Sequence, residues 1–126
     1  APQVMENRFK EFRLIEQIMV IGEGEKHPAA LIMPAEDGLK FWCQKHNIIF
    51  SNMKEVLANR DVLAKYTKEI EHYNSFFNPY ERIKKFELIA EPWSVDGGEL
   101  TATMKLRRKN ILLKYQALSD KIYKEK

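Results

Sequence analysis

Residues 15–34 read IEQIMVIGEGEKHPAALIMP, and they resolve into two short β-strands. The run Ile15–Ile21 is rich in β-branched and long apolar residues and ends at Gly22 and Gly24, while residues 29–33 lie between Pro28 and Pro34; a Gly-Glu-Lys-His loop joins them. On the N-terminal side, Met5, Phe9 and Phe12 recur at i, i+4 and i+7, which predicts a helix over residues 3–13 that Pro2 can open. On the C-terminal side, Leu39, Trp42, Cys43 and His46 form an apolar stripe that predicts a second helix within 34–47, with Glu36 and Asp37 near its positive end.

Further along, Ser51 is an N-cap candidate for one or two turns carrying Met53, Val56 and Leu57. Beyond Asn59, the three- and four-residue steps of Val62, Tyr66, Ile70, Tyr73 and Phe77 predict the longest helix, ending near Asn78-Pro79. Residues 85–92, with Phe86, Leu88 and Ile89, read as a third strand covered on at least one face. Asp96-Gly97-Gly98 is a turn signal, residues 99–103 can return as a short strand, and Ile111, Tyr115, Leu118 and Ile122 predict a terminal helix. Helices mixed with a few non-alternating strands argue for an α+β domain: a small mixed or antiparallel sheet, about three main strands plus a short hairpin, flanked by helices.

At 126 residues and 44% hydrophobic content the chain fits a single domain spanning 1–126. No stretch approaches the roughly 18–20 apolar residues of a membrane span, and the expected location is cytoplasmic, with a peripheral position on the inner face of the membrane left open. Its one cysteine, Cys43, forms no internal disulfide and shares a helix stripe with Leu39 and Trp42, which predicts a buried, unreactive thiol. The net charge of +3 does not by itself name a partner. It is unevenly spread, however: residues 1–100 hold 13 basic and 16 acidic groups, and residues 101–126 hold 8 and 2.

Most constellations that carry chemistry are missing. His27, His46 and His72 are widely separated and form no metal-ligand spacing, so no metal is expected; His46 reads as a core-edge residue and His27 as part of an exposed turn. Glu23 with Glu25 and Glu69 with Glu71 stand at i, i+2 and read as solvated surface. Gly22-Glu23-Gly24 lacks the third glycine and following helix of a dinucleotide loop, and no GxxxxGK[ST] occurs. No aromatic is interleaved with Arg107 and Arg108, which argues against a nucleic-acid partner.

The informative stretch is EPWSVDGGELTATMKLRRK at 91–109, where a Gly-Gly turn and a hydroxyl-rich segment lead to Lys105, with Arg107 and Arg108 close behind. A lysine on a tight loop before a helix can be presented as a mobile cation to a phosphate; the plainer reading is the basic start of a surface helix. Positive charge at a helix N-terminus opposes the macrodipole, a small cost that favours a functional reading.

At these residues the sequence resembles the C-terminal domain of the adenylate-forming (AMP-binding) enzyme superfamily, in its long-chain fatty acyl-CoA synthetase branch. The resemblance rests on APQVMEN at 1–7, on residues 15–34, and on GGELTATMKLRRKNILLKY at 97–115. In that family a lysine lies on a loop just before the last helix, the position of Lys105. Many members have Gly before it, whereas Met104 stands here, as is common in the fatty acyl branch. Arg108 matches a basic position of open role.

The resemblance implies a fatty acid–CoA ligase reaction in two steps, with Lys105 as the catalytic residue of adenylation. ATP, Mg2+ and coenzyme A would serve the full-length enzyme, none of them held tightly by this domain alone. It further implies a C-terminal lid that rotates about a hinge between the half-reactions and then offers part of the coenzyme A face. The partners are its own large N-terminal adenylation domain, with the hinge absent from this chain, and fatty acid, ATP and CoA as substrates. The isolated domain is expected to be inactive. A free-standing interaction module that keeps this fold and binds an anionic partner through its basic end is the alternative.

Overall fold

The computed structural model describes residues 2–124. Helix α1 (Pro2–Phe9) leads into β1 (Ile15–Ile21), which pairs antiparallel with β2 (Ala29–Pro34) in the register Ile18↔Ile32 and Met19↔Leu31. Helices α2 (Glu36–Lys45), α3 (Met53–Leu57) and α4 (Arg60–Asn74) follow, and a 3-10 turn at Pro79–Glu81 leads to β3 (Lys85–Leu88), which lies parallel to β2. The chain closes with α5 (Arg108–Lys114) and α6 (Gln116–Lys124). The sheet order is β1-β2-β3, so the sheet is mixed, with β1 and β3 at its edges.

The strands do not alternate because both faces of the sheet are covered. On one face Ile18, Ala30 and Ile32 pack with Phe9, Leu39, Cys43, Val62, Tyr66 and Ile70 from α1, α2 and α4. On the other, Met19, Ile21, Ala29 and Leu31 pack with Trp93, Leu100, Ile111, Tyr115 and Ile122 from the C-terminal third. The segment carrying Lys105 therefore belongs to the second layer. Cys43 is fully buried, and burial pushes its thiol pKa up, in accord with an inert core cysteine. The buried Tyr66 hydroxyl donates to the Leu14 carbonyl at 2.6 Å, fixing α4 to the chain just before β1.

Several boundaries move. The first helix stops at Phe9, because residues 10–14 turn to enter β1, and the second starts at Glu36, because Pro34 still pairs with Ile15. β3 ends at Leu88: Ile89 still donates to Ile32, but the chain then leaves the sheet at Pro92, which has no N–H to give. The terminal helix is two helices, broken at Tyr115 (φ −108°, ψ 27°), whose hydroxyl accepts from the Trp93 indole at 3.0 Å. The apolar stripe survives the break, since α6 still delivers Ile122 to the core and the Tyr123 hydroxyl to the His27 carbonyl at 2.9 Å. That hydroxyl sits where a side chain on Gly22 (φ 114°) would have to go, so this turn requires glycine. His46 is not at the core edge; it is exposed at the end of α2, stacked on Trp42 at 4.2 Å.

Candidate functional site

The predicted return strand 99–103 shrinks to one bridge, Leu100 with Leu106, and the residues between form a closed turn. Thr101 N–H donates to the Lys105 carbonyl and Met104 N–H to the Thr101 carbonyl, each at 2.8 Å, while Lys105 N–H donates to the Thr101 hydroxyl at 3.1 Å. The Thr101 and Thr103 hydroxyls lie 3.2 Å apart. The hydroxyl-rich composition thus serves the turn itself, because short polar side chains satisfy backbone groups that a tight loop leaves without ladder partners.

Met104 adopts φ 64°, a left-handed conformation that favours glycine. A non-glycine residue there costs about 1–2 kcal/mol, partly offset by the roughly 0.5–1 kcal/mol of chain entropy that glycine would lose on folding. Met104→Gly is therefore expected to leave stability unchanged or raise it by about 0.5 kcal/mol, and Met104→Val to lower it by about 1–2 kcal/mol. Urea unfolding of the two variants beside the parent checks this; a clearly destabilised glycine variant would mean that the methionine side chain holds the turn.

Two buried carboxylates that the sequence reading passed over stand at the flanks of this turn. Glu99, 1% exposed, accepts from Ser94 N–H at 3.0 Å and from the Lys114 ammonium at 2.7 Å, while its own carbonyl accepts from Arg107 N–H at 2.8 Å. Glu6, 3% exposed, accepts from Val20 N–H at 2.7 Å and takes both terminal nitrogens of Arg108, Nη1 at 2.9 Å. For Glu6 a signal existed, since it stands three residues before Phe9 on the buried side of α1. Nothing in the sequence marks Glu99.

The hydrogen bond from Lys114 lowers the Glu99 carboxyl below its usual value of 4.5, and the same bond raises Lys114 above its usual 10.5. A depressed carboxylate stabilises the fold above its unfolded value and loses that contribution as the pH falls through the folded one. The raised lysine contributes below its usual value and loses that only at strongly alkaline pH. Melting of the parent and of Glu99→Gln is expected to differ most near neutrality and to converge below pH 4.5; a gap that persists unchanged into acid would refute the assignment.

The Lys105 side chain is exposed, and among the described residues its ammonium pairs with no carboxylate. It borders a cleft of about 230 Å³ between α1 and the turn, lined also by Glu6, Asn7, Lys10, Gln17 and Arg108. On the far side of Met104 lies a second cleft of about 450 Å³, reaching Met33, Glu36, Met53 and Trp93. The structure thus brings Lys105 and Arg108 to one cleft and gives them different duties: Arg108 is held by an internal carboxylate, and Lys105 faces outward.

The histidines take no part in this cleft, and among the described residues no group of three His, Cys, Asp or Glu is placed to hold a metal ion. Glu23, Glu25 and Glu71 are exposed as read; Glu69 is half-buried and paired with Lys65 at 3.0 Å.

The family model described as "AMP-binding enzyme C-terminal domain" matches residues 1–126. The chain belongs to that family. The long-chain-fatty-acid–CoA ligase FadD15 of Mycobacterium tuberculosis is 27% identical over 124 residues, covering 98% of this chain and 21% of that protein. Long-chain-fatty-acid–CoA ligase 1 of Homo sapiens is 29% identical over 126 residues, covering 98% of this chain and 18% of that protein.

Among solved structures, the adenylation domain of the Mycobacterium chelonae carboxylate reductase superposes with a TM-score of 0.76 at 17% identity, over 98% of this chain and 18% of that one. The mixed three-stranded sheet flanked by helices is therefore the fold of an AMP-binding C-terminal domain, as the sequence resemblance implied. The chain spans about a fifth of the length of these relatives.

Proposed function

We propose that residues 1–126 are the C-terminal lid of a long-chain fatty acid–CoA ligase, and that Lys105 serves its adenylation step. In that step a fatty acid carboxylate oxygen attacks the α-phosphorus of ATP and pyrophosphate leaves, so negative charge builds on the phosphoryl oxygens. An ammonium brought to those oxygens lowers the barrier electrostatically without moving a proton. After rotation of the lid, coenzyme A displaces AMP from the acyl-adenylate, and another face of this domain meets the thiol. The acyl and adenine pockets, and the Mg2+ that accompanies ATP, are assigned to the large domain that would precede these residues.

The observation that carries this reading is the presentation of Lys105: an exposed ammonium without a carboxylate partner among the described residues, on a turn whose backbone groups bond to one another. Two nearby cations are held by carboxylates, Arg108 by Glu6 and Lys114 by Glu99, whereas the exposed Arg107 and Lys109 flank the turn without such a partner among the described residues. The flexible lysine stem with three rotatable donors suits an anionic group whose geometry changes during reaction. Fatty-acid-dependent ATP–pyrophosphate exchange by the full polypeptide that carries this domain tests the reading. Exchange that requires a fatty acid and collapses on Lys105→Ala supports it; exchange indifferent to that substitution overturns the role of the lysine.

A further inference from the structure

We propose that Glu6 is a positioning residue for Lys105, acting through Arg108; the inference rests on the adenylation reading of the lysine. The bonds inside the Thr101–Lys105 turn set its shape but do not fix its place on the body of the domain. Its entry side is held by Glu99 and its exit side by Arg108, three residues after Lys105. Arg108 is in turn held by one carboxylate from the opposite end of the chain, 102 residues away in sequence.

Glu6 suits this task because its own position is fixed twice. It lies on α1, whose Met5 and Phe9 are buried in the core on the helical side of the sheet. Its Oε2 also accepts the N–H of Val20, on edge strand β1. An edge strand leaves N–H groups without a ladder partner, and here a buried carboxylate takes one of them. Its two oxygens, Oε2 shared with Val20 N–H, together hold the planar guanidinium bidentately, which restricts orientation as well as distance. The first helix, the sheet edge and the exit of the lysine turn are thereby joined at a single carboxylate.

Reaction rates are steep in such geometry: a misplacement of about 1 Å can cost about 10²-fold. Glu6→Gln keeps an oxygen for Val20 but loses the charge that grips Arg108, and Arg108→Lys keeps the charge but loses the bidentate geometry.

The test is a double-mutant cycle in the full polypeptide, with each half-reaction measured separately. Glu6→Gln and Arg108→Lys are each expected to lower fatty-acid-dependent ATP–pyrophosphate exchange tenfold or more and to leave KM for ATP within about twofold. Thioester formation from preformed acyl-adenylate should retain at least half its rate. On a Lys105→Ala background neither substitution should lower the residual exchange further, because a lysine that is absent cannot be misplaced.

Equal losses with and without Lys105, or equal losses in both half-reactions, would overturn the positioning role and leave Glu6 a structural residue. Exchange that falls with Lys105→Ala but is untouched by Glu6→Gln and Arg108→Lys would overturn this inference alone. Exchange untouched by Lys105→Ala would overturn the adenylation reading beneath it, and this inference with it.

Discussion

Lys105→Ala is expected to lower fatty-acid-dependent ATP–pyrophosphate exchange by about 10²–10³-fold, the range found when one preorganised donor to a developing oxyanion is removed. The substitution should do so without unfolding the domain, because the side chain is exposed and the turn that carries it is closed by backbone bonds and the Thr101 hydroxyl. Melting temperature is therefore expected to change little, since exposed substitutions away from caps and cores usually fall within about 0.5 kcal/mol.

Thioester formation from preformed acyl-adenylate should survive within a few-fold, because the lysine is withdrawn in that half of the cycle on the ligase reading. Lys105→Arg should recover only part of the lost rate: a planar guanidinium keeps the charge but cannot rotate three donors among phosphate and carboxylate oxygens. Equal loss in both half-reactions would instead place Lys105 in a general binding role, and a full rescue by arginine would reduce it to a point charge.

Element types were legible in the sequence wherever a side-chain period was long enough to repeat. The step from Val62 through Tyr66 to Ile70 made α4 plain, and the apolar runs at 15–21 and 29–33 made the central hairpin plain. Boundaries were less legible, because they depend on partners remote in sequence. Pro34 stays in β2 because Ile15 lies opposite it, and the last helix breaks at Tyr115, whose hydroxyl meets Trp93 from 22 residues upstream.

The same distinction governs the site. Lys105 drew notice through its local surroundings, a Gly-Gly turn, hydroxyls and a following helix, but those also fit the basic start of a surface helix, and the adenylation role came from the family resemblance. The buried carboxylates could not be found so easily, since a glutamate reads as surface until its partner is known. Glu6 and Arg108 stand 102 residues apart, and only the packing of both layers on one small sheet brings them together. Left-handed Met104 shows the converse, a strained position in which the turn's own bonds impose the backbone and the side chain follows.

Phe9→Ala should destabilise the fold by about 3–5 kcal/mol, the usual cost of truncating a fully buried phenylalanine. Phe9 is wholly buried and meets the Tyr73 ring edge-on at 6.1 Å and the Phe77 ring at 5.6 Å. Those rings belong to α4 and the residues just after it, so Phe9, together with the buried Met5, docks α1. An isolated eight-residue helix has too few turns to offset the cost of nucleation and depends on that docking.

Val4, exposed on the same helix, supplies the control: Val4→Ala should change stability by no more than about 0.5 kcal/mol. Urea unfolding of both variants reads the difference, and a loss under about 1 kcal/mol for Phe9→Ala would mean that the cavity collapses or that α1 contributes little. If the expected loss is found, its consequence reaches beyond the core. Glu6 is one turn from Phe9, so loosening α1 takes the carboxylate away from both Val20 and Arg108, and the exit of the lysine turn loses its hold on the sheet. Stability and adenylation should then fall together in Phe9→Ala, whereas Glu6→Gln, which leaves the aromatic contacts in place, should separate them.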